Sequence, residues 1–121
     1  MTGKSSKKKA PKGRYDQNPM AYVDASPIHG RGLFARRAIK VDEYIGTYEG
    51  KPTQENGMHV LWLWSEKRNR WEGIDGNNEM RFLNHADHPN ADWWGEELYA
   101  IRAIAKDEEI TFDYGWNDEE E

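Results

Sequence analysis

Residues 79–95 read EMRFLNHADHPNADWWG and set an amide and an imidazole, Asn84 and His85, after the apolar pair Phe82–Leu83. The stretch is neither a clean amphipathic helix nor an alternating strand. Such polar groups on a short irregular turn, with backbone freed from regular ladders, suit a buried polar cofactor. Upstream, Gly30-Arg31-Gly32 can bring main chain close to a ligand, because glycine lacks a Cβ and tolerates positive φ. A tight turn between strands is the plain alternative. Arg31 can donate charge-assisted hydrogen bonds to a carboxylate or simply face solvent. The run His85-Ala86-Asp87-His88, with His29 or His59 as a further ligand, matches no strong zinc spacing, so no metal site is expected.

Positioning these groups falls to a single small domain of 121 residues. Six tryptophans, six tyrosines and three phenylalanines are expected to supply much of the core, since aliphatic residues are sparse. The body reads as short strands: MAYVDAS (20–26), GLFARRAI, YIGTYEG, HVLWLW (59–64), WEGID (71–75), ELYAIRAI and EITFDYG. HVLWLW is apolar enough for a core strand. Only the region from about Asn78 to His85 suggests a helical turn. Gly, Pro and Asn recur every 8 to 12 residues or so, as in all-β architectures. The pattern RAIxxDExI occurs at Arg37–Ile45 and again at Arg102–Ile110. Two copies do not make a solenoid; they predict two similar strand–turn–strand corners with Asp in each turn.

Four segments in order, HGRGLFARRAI (29–39), YEG (48–50), IDG with RFLNHADHPN (74–90) and EITFDYGW (109–116), resemble the SET domain of protein-lysine methyltransferases. The match spans roughly residues 21–116, with 19–116 taken as the domain. It implies a mostly β fold of several small curved sheets, few helical turns and a knot-like threading of the C-terminal segment. It implies S-adenosylmethionine as cofactor. Gly30, Arg31 and Gly32 would hold its methionine part, Asn84 and His85 its amino group and adenine, and Trp116 would stack on adenine. Tyr114 would be the catalytic phenol, which also touches the cofactor. Tyr48, Phe112 and Trp93 (or Trp94) would line the lysine channel. Phe112 stands where relatives carry Phe or Tyr, and a phenyl ring there leaves room beyond mono-methylation. A free lysine ammonium has a pKa near ~10.4. Desolvation among rings and a cationic sulfur disfavour the charged form, so proton loss to water before attack is expected, with Tyr114 acting through position and fixed electrostatics. The family usually has Ser-Cys after the His, where this chain has Ala86-Asp87.

The charge is unevenly placed. Lys4, Lys7, Lys8, Lys9, Lys12 and Arg14 fall in the first 14 residues; the other 11 basic residues face all 22 acidic ones, leaving residues 15–121 at net −11. Residues 1–18 read as a disordered basic tail and 117–121 as an acidic end. The acidic body disfavours direct nucleic-acid binding and favours a lysine-rich protein or peptide partner, histone-like or associated with DNA or ribosomes. The absence of cysteine excludes disulfides and thiolate zinc clusters and suits an intracellular protein. The cytoplasm is the expected location, with a host nucleus as the alternative. No apolar run approaches the ~18 residues of a membrane span, and no hydrophobic stretch follows the basic terminus as in a secretory signal. The resemblance is to minimal viral and bacterial members without cysteine-zinc flanks. With seven residues beyond Tyr114, something else must close the site, and a homodimer is expected. A catalytically silent SET-like interaction module is the competing reading.

Overall fold

A computed structural model describes residues 14–114 of the chain. The basic residues 1–13, Trp116 and the acidic end 117–121 lie outside the described residues. Ten short strands form three sheets, and the remaining regular structure is two 3-10 turns, Arg14–Asp16 and Glu79–Phe82.

The first sheet has the order β1 (Ala21–Ala25), β2 (Arg31–Ala35), β10 (Glu109–Phe112), β7 (Asn84–His85). β1 and β2 form an antiparallel hairpin, with Ala21 opposite Ala35. β10 pairs antiparallel with β2 and parallel with the two-residue β7, Thr111 facing Asn84 and Phe112 facing His85. The C-terminal strand is thus inserted between a hairpin near the start of the chain and the NH dipeptide. The second sheet is β3 (Tyr44–Thr47), β9 (Glu97–Ala100), β8 (Ala91–Trp94), and the third is β4 (Gly50–Thr53), β6 (Arg70–Gly76), β5 (Val60–Ser65).

The RAIxxDExI echo forms two corners that hold each other. Ile39 and Ile104 exchange backbone hydrogen bonds of 2.8 and 2.9 Å. Asp42, in the first corner, donates its amide to Ala100 O at the end of β9; Asp107, in the second, donates to Ala35 O at the end of β2, both at 2.7 Å. Each Asp sits in the left-handed region, φ 71° and 69°, which Asp tolerates better than most residues. Glu43 and Glu108 cap their turns alike, accepting from the amides of Lys40 and Ala105 at 2.8 and 2.9 Å.

Several sequence expectations need correction. GLFARRAI leaves the strand after Ala35, and ELYAIRAI after Ala100, because both run into these corners. The buried core is aliphatic: Leu33, Ile39, Ile45, Met80, Leu98, Ile104 and Ile110 are all below 2% exposed, and Tyr48 is the sole aromatic residue of the buried cluster. Trp64, Trp71 and Trp94 are 47%, 58% and 80% exposed. HVLWLW is an edge strand rather than a core strand; every residue of β5 keeps some surface. Ala91–Trp94, with no strand pattern in the sequence, is β8. The body also begins earlier than residue 19. Asn18 is buried and donates to Ile45 O and Glu79 Oε2, and Tyr15 packs edge-on against Phe82 at 4.9 Å between ring centroids.

Candidate active site

Five rings from four parts of the fold make a continuous series. His85 meets Tyr114 at 5.4 Å between centroids, Tyr114 meets Phe112 at 4.7 Å, Phe112 meets Trp93 at 5.5 Å and Trp93 meets Tyr48 at 5.6 Å. Phe112 ends β10 and Tyr114 follows two residues on, so strand alternation puts both on one side. Trp93 comes from β8 and Tyr48 from the link between β3 and β4. Tyr48, Trp93, Phe112 and Tyr114 line one cavity of about 540 Å³. Met80, Leu83 and Arg81 form further wall, and residues 56–62, leading into β5, close the remaining side. The three channel residues expected from the sequence, Tyr48, Phe112 and Trp93, thus line the same cavity as Tyr114.

Hydrogen bonds fix the two phenols. The Tyr48 hydroxyl donates to His59 O and the Tyr114 hydroxyl to Leu83 O, each at 2.5 Å. Burial pushes the Tyr48 phenol well above the ordinary tyrosine value, and Tyr114 adds to the effect; burial also raises Tyr114. Both phenols are thus donors at neutral pH and neither is a base. Tyr48 fits because position 76 is glycine: a Cβ there would lie 2.5 Å from the Tyr48 Cζ and hydroxyl. Trp93 carries the single buried side-chain nitrogen with no hydrogen-bond partner among the described residues, its indole Nε1.

His85 is held from both ring nitrogens. The Tyr114 amide lies 3.0 Å from Nδ1, and an amide can only donate, so Nδ1 accepts and the ring proton sits on Nε2. Nε2 then donates to Asp87 Oδ1 at 2.9 Å. The Asp that departs from the family pattern orients the imidazole.

The remaining polar groups lie around the 26–31 turn. Asn84 Nδ2 lies within hydrogen-bond distance of His29 O and Arg31 O (both 3.1 Å), Ser26 Oγ (3.2 Å) and Glu109 Oε2 (2.9 Å), tying the turn to β10. The hydrogen-bond contacts of the Asn84 side chain are all made by Nδ2, and no described residue donates to its Oδ1. Gly30 has φ 47° with open space where a Cβ would stand, whereas a Cβ on Gly32 would collide with the Glu109 carboxylate. Gly30 is therefore the glycine that leaves main chain open to a ligand, and Gly32 makes room for an internal carboxylate. The Arg31 guanidinium lies over the Phe82 ring at 4.6 Å. An open turn, an unfilled acceptor and a fixed imidazole fit the amino-acid and nucleoside ends of S-adenosylmethionine. No group of three His, Asp or Glu among the described residues could hold a metal, and no described helix could cross a membrane.

Sequence reasoning missed His59, Gly76, Arg81 and the 56–62 wall. His59 drew attention only as a candidate metal ligand, and its segment only as a core strand; nothing in a β-rich apolar run signals that it borders a cavity.

A family model described as SET domain matches residues 30–115. The Arabidopsis thaliana histone-lysine N-methyltransferase MEDEA is 29% identical over 125 residues, covering 84% of this chain and 18% of that protein. The Homo sapiens histone-lysine N-methyltransferase 2B is 29% identical over 112 residues, covering 76% of this chain and 4% of that protein. The chain thus spans less than a fifth of these relatives. Among solved structures, the methyltransferase domain of human histone-lysine N-methyltransferase SETMAR aligns with a TM-score of 0.68 at 20% identity, over 78% of this chain and 44% of that one. A Plasmodium falciparum putative histone methyltransferase aligns with a TM-score of 0.60 at 23% identity, over 80% and 94% of the two chains.

Proposed function

The chain belongs to the SET-domain family, and on that premise we propose that it is a protein-lysine N-methyltransferase using S-adenosylmethionine on a basic protein segment. The observation that carries the reading is the ring-walled cavity of Tyr48, Trp93, Phe112 and Tyr114 beside the Asn84–His85 dipeptide. The cofactor, when bound, supplies a methyl group activated by a sulfonium. The protein's part is to receive a long cationic side chain, strip its water and aim its nitrogen. Converting an ammonium of pKa ~10.4 into a free amine near neutrality costs roughly 4 kcal/mol, and a dry ring-lined passage lowers that cost by disfavouring the charged form. Two fixed phenols orient the amine without competing for its proton. Orientation of this kind is where most of the acceleration would arise.

Phe112 has no hydroxyl to hold a water against the amine, which supports products beyond mono-methyl lysine. The acidic body suits lysine-rich partners, and the protein would act as a homodimer. Both belong to this proposal, as does an intracellular site of action. A silent interaction module gains little from the Ala86-Asp87 departure, because Asp87 orients His85.

The test is labelled methyl transfer to lysine-bearing peptides, wild type against Tyr114→Phe, with mass spectrometry of the product and light scattering of the protein. Transfer by the wild type, reduced about 10²-fold or more in the variant, supports the reading. No transfer to any lysine peptide, with no heat of cofactor binding, refutes it. A product that stays mono-methylated removes the Phe112 argument, and a fully active monomer removes the dimer.

A further inference from the structure

The proposed function leaves one carboxylate beside the cofactor turn without a role. Glu109 stands on β10, and its oxygens reach back to the 26–31 turn, where Ser26 Oγ lies 2.8 Å from both. A carboxylate can only accept, so the single hydroxyl proton is committed to Glu109. The Oγ lone pairs are thereby turned to the main chain, and the amides of Ile28 and His29 donate to them at 2.9 and 3.4 Å.

The same carboxylate fixes Asn84. Its Oε2 accepts from Asn84 Nδ2 at 2.9 Å. This holds the amide with its nitrogen toward the turn, within reach of His29 O and Arg31 O. Hydrogen bonds to an ionised acceptor are roughly twice as strong as neutral ones. Gly32 is what admits the group, since a Cβ there would collide with the Glu109 carboxylate. The turn holding Gly30, the Asn84–His85 dipeptide of β7 and the C-terminal strand therefore close on one side chain.

We propose that Glu109, acting through Ser26 and Asn84, is the positioning residue that sets the cofactor cleft. Its carboxylate fixes how far the main chain at Gly30 stands from the Asn84–His85 dipeptide. That is the span which the amino-acid and nucleoside ends of S-adenosylmethionine must bridge. A turn already in its bound shape loses less freedom on binding, so the effect falls on cofactor affinity. Glu109 acts through other residues and takes no part in the methyl transfer itself. The inference rests on the S-adenosylmethionine reading and adds to it the residues that hold the cleft in shape.

Calorimetric binding of S-adenosylmethionine, and amide hydrogen exchange in the absence of cofactor, test it on the full chain. Glu109→Ala should raise the cofactor Kd about 10-fold or more, leave the peptide KM unchanged, and speed exchange at the Ile28 and His29 amides. Ser26→Ala should do the same. Because both act along one chain of bonds, Ser26→Ala should cost less than about 3-fold in the Glu109→Ala background. Glu109→Gln keeps an oxygen able to accept from Ser26 and Asn84, and its affinity should fall between wild type and Glu109→Ala. An unchanged Kd in Glu109→Ala and Ser26→Ala, even with faster exchange or a lower unfolding midpoint, sinks this inference and leaves the proposed function standing. Fully additive losses in the double variant, or a Glu109→Gln no better than Glu109→Ala, also sink it. Should Glu109→Ala fail to fold, the affinities of Ser26→Ala and Glu109→Gln decide. A wild type that binds no S-adenosylmethionine sinks both.

Discussion

Gly76→Ala tests the packing of the ring wall at one atom. Gly→Ala in a strand ordinarily stabilises by about 0.4–1 kcal/mol through the unfolded chain. Here the added Cβ would lie 2.5 Å from Tyr48 Cζ and hydroxyl and 2.8 Å from Cε2. Ordinary contact is about 3.5 Å or more, so the ring must retreat by roughly 1 Å. It cannot do so freely: its hydroxyl is bonded to His59 O and its edge meets Trp93. Overpacking costs about 1–3 kcal/mol and the lost hydrogen bond about 1, so the net effect is a destabilisation of about 2–3 kcal/mol. A 1 Å displacement in the channel should also lower methyl transfer about 10²-fold. Denaturant unfolding and turnover measure the two effects. The decisive comparison is a double-mutant cycle with Tyr48→Ala, in which Gly76→Ala should cost less than about 1 kcal/mol because the clashing ring is gone. Equal costs in both backgrounds, or a stabilised single variant, would refute the argument.

Trp93→Phe removes the unpartnered buried indole N–H while keeping a ring, and should stay within about 1 kcal/mol of wild type, whereas Trp93→Ala should lose about 3–5; calorimetric unfolding separates them. Asp107→Gly should be tolerated at φ 69°, while Asp107→Val should lose about 1–2 kcal/mol in denaturant unfolding through left-handed strain. The His59 imidazole titrates lower in the folded than in the unfolded chain. The unfolded state therefore binds more protons once pH drops below about 6.5, and stability conferred by neutral His59 is present above that value and lost as pH falls toward the folded one. Urea midpoints measured down from pH 7 should fall across that window, and His59→Asn should remove that part of the slope.

The ordered motifs carried the fold and the ring wall because each is local: NH beside FL, FDY in alternation, YEG before a strand. Tyr48, Trp93, Phe112 and Tyr114 were legible for that reason. The core was not. Counting aromatics pointed to a core supplied largely by Trp, Tyr and Phe, yet Trp64, Trp71 and Trp94 stay at the surface, and a small set of Leu, Ile, Met and Ala fills the centre. Sheet position bears on this: Trp64 and Trp94 lie on the edge strands β5 and β8, and Trp71, on the central β6, sits opposite Trp64, facts settled by pairing rather than by local sequence. The part that His59 and Gly76 play in the ring wall was invisible for the same reason. Their importance lies in a neighbour, Tyr48, 11 and 28 positions away, and no local pattern announces a neighbour.

The mutual corners at Asp42 and Asp107 have a mechanical consequence. Through them the end of β2 is clamped to the second corner and the end of β9 to the first, so the sheet carrying Phe112 and the sheet carrying Trp93 share one brace. Two jaws of the passage are set to a common gauge, while the third, with His59, hangs from a separate hairpin sheet. Changes along that hairpin move its own jaw and leave the gauge alone; loosening either corner resets the width of the whole cavity.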